Sequence, residues 1–400
     1  MRRDVEFTNA AGVKLSGRLE MPPGRVRAVA LFAHCFTCTA SSHGARRISV
    51  ALASHGIATL AFDFTGLGKS EGVFADSHFA ANIDDLVAAA DFLRGALQAP
   101  AILVGHSLGG AAVIAAAAQI PEATAVVTIG APFDPAHVLH QLGDQTSRVR
   151  AEGQAEITIG GRPFEVSSAF LDAVEGHDQG DRLAKLKRAL LVLHAPTDTI
   201  VGIENAGQIF TAAKHPKSFV TLDGADHLLT QAGPAAYGAA MIAAWVEPYL
   251  APPLAADAPA EGHVRVTTTE AKFTSIVDSS GHSFLADEPL KVGGADLGPT
   301  PYDLLLSGLG TCTAMTIKLV ADREGMPLKE VSVDLHHARC HSEDCLATGE
   351  GKPKIEVIER AITLTGELSD AQRSRLLVIA DKCPVHRTIE SHPVIKTRLA

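Results

Sequence analysis

Residues 101–118 read AILVGHSLGGAAVIAAAA, and this stretch decides how the first part of the chain is interpreted. An apolar run of strand length comes first, a turn that holds Ser107 between glycines follows, and alanine-rich residues that favour a helix come after the turn. The pattern G-x-S-x-G between a strand and a helix is typical of a nucleophile elbow, a strained turn that lifts a serine hydroxyl above the edge of a sheet. We therefore predict that Ser107 is a catalytic nucleophile. The alternative is an incidental serine in a glycine-containing turn.

Apolar strands and helical segments alternate on both sides of this turn. A hairpin is predicted over 5–21, and strands that are mostly apolar are predicted at 28–33, 57–62, 101–104, 125–129, 189–193 and 218–222. Helical periodicity separates several of them, as over 82–97. Because strands that are apolar throughout belong to parallel sheets covered on both faces, the pattern predicts an α/β fold. Together with the turn at Ser107, this region resembles the α/β-hydrolase fold.

Two polar residues follow predicted strands further along the chain. Asp198 comes after the strand at 189–193, and His227 comes after the strand at 218–222. The α/β hydrolases, which this region resembles, place their catalytic triad in the chain order serine, acid, histidine. We therefore expect His227 to take the proton of Ser107 as general base and Asp198 to fix the tautomer of His227.

The same resemblance assigns an oxyanion hole to two backbone amides. One is the amide of Leu108, directly after the nucleophile, and the other belongs to Phe36, in a loop where the family has His-Gly-x and this chain has His34-Cys35-Phe36. Cys35 also begins a C-x-x-C motif with Cys38. We favour unreactive, buried thiols here over a thioredoxin-like redox motif, because a thioredoxin unit has no use for the downstream elbow.

Residues 134–187 interrupt the alternation of strands and helices. They include a predicted small hairpin over 157–164 with a tight turn. In α/β hydrolases, which this region resembles, such a position accommodates a cap over the active site. We therefore predict a small cap within a hydrolase domain that spans 1–250; the alternative is an ordinary surface excursion.

Composition limits the function classes that fit the whole chain. Hydrophobic residues make up 46% and charged residues 20% of the 400 residues, as in a globular protein with large cores. A formal net charge of −10 offers no basic field for nucleic acid. The longest apolar stretch, 108–118, falls short of the ~20 residues that span a bilayer, so we expect no membrane partner. With six cysteines and no apolar segment after Met1, a cytoplasmic location is expected.

A second domain is predicted over 263–400, after a proline-containing linker at 251–262. Strands are predicted at 264–278, 283–286, 331–336, 354–358 and 361–365, and helices at 301–324 and 369–383. The helix at 301–324 is long and mostly apolar, so we expect it to be buried on most sides.

Two cysteines of this domain carry a second resemblance. Residues 298–305 (GPTPYDLL), 310–316 (GTCTAMT) and 383–387 (CPVHR) resemble the OsmC/Ohr family of thiol peroxidases. The whole chain resembles the fused α/β-hydrolase–OsmC proteins, and this resemblance implies an α+β fold for the second domain. The resemblance implies that Cys312 attacks an organic hydroperoxide and becomes a sulfenic acid, and that Cys383 resolves it to a disulfide, which a dithiol reductant then reduces. It also implies a homodimer formed through this domain.

The group that would activate the thiolate is not evident from the sequence. Better-known members of the family use an Arg and a Glu, but Tyr302 stands where the Ohr-type motif has Glu. Arg265 in the first strands and Arg387 beside Cys383 are the two candidate cations. Residues 336–345 are rich in His and Cys, but no second C-x-x-C pair completes a zinc site, so we favour a surface hairpin. We expect no metal and no cofactor.

These observations lead to one expected function and one alternative. We expect a serine hydrolase of the carboxylesterase type, working through an acyl-enzyme, fused to an OsmC-like thiol peroxidase domain. In the alternative, one half is catalytically silent: the OsmC-like domain serves mainly for dimerisation, or the hydrolase domain serves as a binding module. The sequence does not specify which ester is the substrate.

Overall fold

The computed structural model describes residues 2–35, 38–73, 79–141, 145–159, 162–175, 178–252, 259–340 and 355–399. It divides the chain into two compact units, Met1–Ala258 and Pro259–Ala400. Each unit has a hydrophobic core of its own.

Strands of the first unit form one large sheet and one small hairpin. They are β1 (Arg2–Thr8), β2 (Lys14–Glu20), β3 (Ala28–Ala33), β4 (Ile57–Phe62), β5 (Ile102–His106), β6 (Ala125–Ile129), β7 (Gln154–Ile159), β8 (Arg162–Ser167), β9 (Ala189–His194) and β10 (Lys217–Thr221). The large sheet has eight strands in the order β1-β2-β4-β3-β5-β6-β9-β10. Pairing is antiparallel from β1 to β4 and parallel from β4 to β10.

Helices cover both faces of this sheet. The helices of the first unit are α1 (His43–Ser54), α2 (Phe79–Ala96), α3 (Leu108–Ala116), α4 (Gln145–Glu152), α5 (Ser168–Glu175), α6 (Gln179–Ala184), α7 (Glu204–Ala212) and α8 (Ala232–Val246). Along β3, Val29 and Leu31 enter the core cluster that includes α2 and α3, whereas Ala30 and Phe32 enter the cluster that includes α1 and α8. Because both faces are buried, the strand has no polar positions, and the predicted α/β fold is confirmed.

The segment between β6 and β9 forms a small layer of its own. It contains a 3-10 helix (Pro135–Gln141), then α4, the β7–β8 hairpin, α5 and α6. Ile157 pairs with Phe164 in the hairpin, whose predicted turn at 160–161 lies outside the described residues. The buried Gln179 of α6 donates its side-chain amide to the carbonyl of Ala111 on α3, at 3.1 Å. The segment is therefore anchored on the helix that follows Ser107.

The second unit combines two antiparallel sheets with three α-helices among its described residues. The elements are β11 (Val264–Thr268), β12 (Ser275–Ser279), β13 (His282–Ala286), α9 (Pro301–Arg323), β14 (Leu328–Cys340), β15 (Ile355–Gly366), α10 (Asp370–Ala380) and α11 (Pro384–Glu390).

The structure makes three corrections to the predicted elements of this unit. The strand predicted at 264–278 is two strands, because Thr269 and Thr274 close a turn between them. The strands predicted at 354–358 and 361–365 are one strand, β15, whose pairing with β14 continues through Glu359 and Arg360. The helix predicted at 369–383 ends at Ala380, and Cys383 is the N-cap of a separate helix, α11.

Helix α9 is less buried than its sequence predicts. By length and composition alone it could cross a membrane, and only 33% of its most apolar window is buried. Ile317 and Val320 pack against α10 residues in the small core, whereas Leu305, Met315 and Leu319 are exposed. The prediction of burial on most sides is therefore wrong, since one stripe of the helix has no covering element among the described residues.

A buried carboxylate joins three segments of the first unit. Asp85 on α2 accepts hydrogen bonds from the side-chain amide of Asn9 at 2.7 Å, from the Thr65 backbone N–H at 2.8 Å and from the Thr65 hydroxyl at 3.1 Å. Burial raises the pKa of Asp85, although these donors oppose the shift. The ionised form therefore weakens the fold above the folded-state pKa, and this cost is absent below the unfolded-state pKa.

We predict that Asn9→Asp lowers the melting temperature at pH 8 and that the loss shrinks as the pH falls. The new side chain keeps an acceptor for the amides of Ala11 and Val13, but it places a second carboxylate against Asp85. Losing a hydrogen bond to a charged group costs about 1.5–3 kcal/mol, which corresponds to roughly 3–12 °C in a domain of this size. Thermal unfolding of both proteins between pH 5 and pH 8 measures the difference. A loss that does not change with pH would contradict the prediction.

Candidate active site

Ser107 occupies a backbone corner between β5 and α3. Its φ of 54° and ψ of −125° belong to a backbone conformation that residues other than glycine rarely adopt. A Cβ at Gly105 would lie 2.2 Å from the carbonyl oxygen of Gly109, and a Cβ at Gly109 would lie 2.3 Å from the carbonyl oxygen of Ala33. The glycines are required because three backbone segments meet here without room for side chains.

The structure brings Ser107, His227 and Asp198 together from three separate loops. His227 Nε2 lies 3.1 Å from Ser107 Oγ, and His227 Nδ1 lies 2.7 Å from Asp198 Oδ2. The other oxygen of Asp198 accepts the backbone N–H groups of Ile200 and Val201, at 2.9 and 3.0 Å. All three side chains lie where the sequence analysis expects them, at the edge formed by the carboxyl ends of β5, β9 and β10.

Hydrogen bonds keep the carboxylate of this set ionised. Burial alone would raise the pKa of Asp198, but hydrogen bonds from His227, Val201 and Ile200 outweigh it, so the pKa lies below its usual value. An ionised Asp198 only accepts hydrogen bonds, so the proton between it and His227 belongs to Nδ1. The lone pair of Nε2 then faces the Ser107 hydroxyl, which is the arrangement that a general base needs.

His106 stabilises the loop that carries His227. The sequence does not predict this role. His106 Nε2 donates to the backbone carbonyl of His227 at 2.6 Å, and the two rings lie 5.2 Å apart. Burial, with the nearby His227 as the next cause, lowers the pKa of His106 to about 3, so the ring is neutral and donates from Nε2. The only sequence signal was its place directly before Ser107, because its partner lies far away along the chain.

Of the two expected oxyanion donors, the structure describes Leu108 but not Phe36. Leu108 is the first residue of α3, where backbone N–H groups have no acceptor within the helix. Phe36 lies outside the described residues. Next to it, Cys35 and Cys38 form a disulfide, with 5.3 Å between their Cα atoms, so the prediction of two unreactive thiols is wrong. The two residues are close because the Cys38 N–H donates to the Cys35 carbonyl.

A second buried carboxylate fixes the loop that carries this disulfide. Asp63, at the end of β4, accepts the backbone N–H of Ala40 at 2.6 Å and that of Lys69 at 2.9 Å. The loop after β3 is therefore tied to the loop after β4. Before the disulfide, His34 Nδ1 donates to the Cys35 carbonyl at 2.9 Å.

Both cysteines of the second resemblance are free thiols in the second unit. Cys312 is half-buried on α9, whereas Cys383 is buried and is the N-cap of α11. Burial would raise the pKa of Cys383, but the His386 N–H at 3.3 Å, together with Cys312 and the Thr313 hydroxyl, outweighs it, so the pKa lies below its usual value. Cys312 directly precedes Thr313 on α9, and the Thr313 hydroxyl lies 3.7 Å from Cys383 Sγ.

The cation that the structure links to Cys383 is Arg360, and neither of the cations predicted from the sequence, Arg265 and Arg387, makes this contact. Arg265 lies on β11 opposite Asp278, and Arg387 is exposed on α11. Arg360 on β15, which was not singled out, donates instead to the hydroxyl of Thr313, which contacts Cys383. No local pattern marks Arg360, because only the register of β15 against the helices brings it there.

The remaining sequence signals lie apart from the thiols or outside the described residues. Tyr302 stacks on the ring of His337 at 4.3 Å, and His337 pairs with Glu356 at 2.6 Å. His336 and His337 lie on β14, whereas residues 341–345 are not described. Within the described ranges, no group of three His, Cys, Asp or Glu residues could hold a metal.

Comparisons with known families and structures match both units. Residues 24–155 match the family described as serine aminopeptidase, S33, and residues 293–398 match the family described as OsmC-like protein. The crystal structure of the esterase domain from a Rhodothermus marinus protein is 45% identical, with a TM-score of 0.53, and the match covers 63% of this chain and all of that one. No curated protein matches the chain.

More distant structures share the fold alone. Est1E from Butyrivibrio proteoclasticus, solved with bound ferulic acid, is 19% identical over 61% of this chain and 99% of that one, with a TM-score of 0.52. Alpha/beta hydrolase domain-containing protein 10 from mouse is 19% identical over 62% and 99% of the two chains, also with a TM-score of 0.52.

Both resemblances noted in the sequence are therefore confirmed at the level of family. The first unit is an α/β-hydrolase domain with an esterase domain as a relative at substantial identity, and the second contains an OsmC-like domain. This chain belongs to the fused proteins in which an α/β-hydrolase domain is followed by an OsmC-like domain.

Proposed function

We propose that the first unit is a serine hydrolase that cleaves a carboxylic ester through an acyl-enzyme. The observation that carries the proposal is the chain of contacts from Ser107 through His227 to Asp198, at 3.1 and 2.7 Å. The similarity to the Rhodothermus marinus esterase domain supports an ester as the substrate class.

Each contact has a role in the proposed reaction. Ser107 Oγ attacks the ester carbonyl while His227 Nε2 takes its proton, and Asp198 stabilises the resulting imidazolium. The ester C–O bond then breaks, the leaving alcohol takes the proton from His227, and an acyl group remains on Ser107. Water, deprotonated by His227, releases the acid. The amides of Leu108 and Phe36 are the proposed donors to the oxyanion.

The segment between β6 and β9 is the proposed determinant of the acyl or alcohol pocket. Its anchoring through Gln179 to Ala111 places it on α3, the helix that begins directly after Ser107. We propose that it acts as a small cap, and that changes in its sequence alter which esters are accepted more than they alter the chemical step.

We predict that Ser107→Ala abolishes turnover of a p-nitrophenyl ester, lowering kcat by a factor on the order of 10⁶. Asp198→Asn should lower kcat by roughly 10⁴, because the neutral side chain favours the wrong tautomer of His227. Asp226→Asn is the matched control: Asp226 adjoins His227 in sequence but caps its own loop by accepting the Thr230 N–H. Steady-state kinetics on the three variants test the proposal. Unchanged turnover in Ser107→Ala would eliminate it.

We predict that His106→Phe lowers the maximal kcat about 2–15-fold without changing the shape of its pH dependence. The substitution keeps an aromatic ring but removes the donor to the His227 carbonyl, a loss of about 0.5–1.5 kcal/mol. Because the pKa of His106 lies near 3, its protonation lies below the range in which esterases are assayed. Profiles of kcat from pH 5 to pH 9 measure both effects. A displaced acid limb would contradict this assignment of His106.

We propose that the second unit reduces organic hydroperoxides with Cys312 and Cys383. The Cys312 thiolate attacks the distal peroxide oxygen, the O–O bond breaks and an alcohol leaves, giving a sulfenic acid on Cys312. Cys383 then attacks this sulfur, forming a disulfide and releasing water, and an external dithiol restores both thiols. The proposal is supported by the position of Cys383 beside α9, where the hydroxyl of Thr313, the residue after Cys312, lies 3.7 Å from Cys383 Sγ.

We predict that Cys312→Ser abolishes hydroperoxide consumption in the presence of a dithiol, because the attacking sulfur is absent. Cys383→Ser should instead react once and leave a persistent sulfenic acid, because the assigned resolving thiol has been removed. Peroxide consumption assays and mass spectrometry with a sulfenic-acid probe distinguish the two variants. Continued reduction by Cys312→Ser would exclude the assigned role.

A second candidate role for this unit is dimerisation with a catalytically silent thiol pair. The exposed apolar side chains of α9, Leu305, Met315 and Leu319, favour a homodimer through this unit, since burying them removes apolar area from water. Labelling with a fluorophosphonate reports on Ser107, and a sulfenic-acid probe applied after peroxide reports on Cys312. The pair of labels identifies whether either half is silent, including the case in which the hydrolase domain only binds its ligand.

A further inference from the structure

Thr313 lies between an arginine and a thiol inside the second unit. It is fully buried on α9, and its hydroxyl accepts a hydrogen bond from Arg360 Nη1 at 2.9 Å. The same hydroxyl lies 2.8 Å from the carbonyl oxygen of Leu309 and 3.7 Å from Cys383 Sγ. A hydroxyl has one proton and a guanidinium only donates. The Thr313 proton therefore points either at Leu309 or at Cys383.

Arg360 is held firmly enough to define this geometry. Its Nη2 donates to Asp381 at 2.7 Å, its Nη1 also reaches the carbonyl of Ala380 at 3.3 Å, and its side chain is only 12% exposed. A guanidinium that is largely out of water is less screened than one on the surface. Its charge therefore acts on the neighbouring Thr313 hydroxyl, to which it donates.

We propose that Arg360, acting through Thr313, is the positioning residue that holds Cys383 as a thiolate for the resolving step. The inference rests on the proposed peroxidase function and names the cation that the sequence left open. With Arg360 on its oxygen, the Thr313 hydroxyl turns its proton from Leu309 to Cys383 when the sulfur becomes charged. The backbone N–H of His386, at 3.3 Å, is a second donor to the same sulfur.

Arg360 is linked to Cys383 through the Thr313 hydroxyl, whereas the neighbouring cations Lys382 and Arg387 are exposed. Asp381 is occupied by Arg360, and the His386 ring pairs with Glu390 at 3.0 Å on its own helix. The charged and titratable groups next to Cys383 in the chain are Asp381, Lys382, His386, Arg387 and Glu390, and those that reach it from packed elements are Cys312 on α9 and, through Thr313, Arg360 on β15.

The proposed step depends on the charge of the sulfur. The Cys383 thiolate attacks the sulfur of the Cys312 sulfenic acid, the S–S bond forms, the S–O bond breaks, and hydroxide leaves and takes a proton from solvent. The thiolate is the nucleophile in such exchanges, whereas the thiol is nearly inert. Arg360 and Thr313 therefore accelerate resolution without contacting the peroxide.

The first test titrates Cys383 in the full chain, in a Cys312→Ser background and without peroxide. Thiolate absorbance in the ultraviolet, measured against pH, reports the charge of Cys383, and the same protein with Cys383→Ser provides the blank. Thr313→Val should shift the midpoint upward by about one to two pH units, as expected for the loss of a hydrogen bond to a charged group. Thr313→Ser, which keeps the hydroxyl, should leave it unchanged.

Two further variants, one at Arg360 and one at its partner Asp381, are titrated in the same way. Arg360→Gln should shift the midpoint in the same direction as Thr313→Val, whereas Asp381→Asn, which leaves the guanidinium against Thr313, should have little effect. Because Arg360 also ties β15 to the end of α10, its substitution can disturb packing. The isosteric Thr313→Val variant therefore decides the question. Identical titrations for Thr313→Val and Thr313→Ser would overturn the inference.

The second test follows the resolving step with both cysteines present. After one equivalent of an organic hydroperoxide, Thr313→Val should lengthen the lifetime of the Cys312 sulfenic acid about tenfold, with the rate of its formation unchanged. An unchanged lifetime would overturn the proposed role in resolution. If the titration shifts as expected but no sulfenic acid forms, the peroxidase function fails and the Arg360–Thr313 support of the thiolate stands.

Discussion

Three backbone segments approach one another around Ser107 more closely than any side chain would permit, and the hydrolase site depends on this approach. The end of β3, the end of β5 and the start of α3 meet at Gly105 and Gly109, where an added Cβ would lie within 2.3 Å of a carbonyl oxygen. This crowding holds Ser107 at a positive φ and presents its hydroxyl to His227. The buried, mostly apolar strands on either side provide a frame rigid enough to maintain the strained corner.

The sequence was sufficient for the parts of the site that follow from local pattern and strand order. Ser107 is marked by its glycines, and Asp198 and His227 are marked by their places after apolar strands, whose carboxyl ends share one edge. Contacts between residues far apart in the chain left no such mark. The bond from His106 to the His227 carbonyl and the reach of Arg360 to Thr313 depend on packing and register, which periodicity does not encode. The Cys35–Cys38 motif was visible, but its covalent state was not.

The two units use buried polar groups for the same physical purpose. Asp63 and Asp85 join loops of the first unit by accepting backbone and side-chain N–H groups, and the Arg360–Thr313 pair joins a strand to two helices in the second. In each case a buried group is tolerated because its hydrogen-bonding capacity is filled, and several segments of the chain share it. The exposed stripe of α9 is unfavourable in the single chain, because its apolar side chains remain in contact with water.

The covalent bond between Cys35 and Cys38 links the chemistry of the two halves in a practical sense. Cys38 is partly exposed, and any small dithiol that reaches it is chemically able to open the bond by exchange. A reductant added to regenerate Cys312 and Cys383 therefore also sets the covalent state of the loop that follows β3. The last residue of β3, Ala33, packs against Gly109 beside the serine. The reductant concentration therefore sets the covalent state of cysteines in both units. An assay of either unit has to specify it.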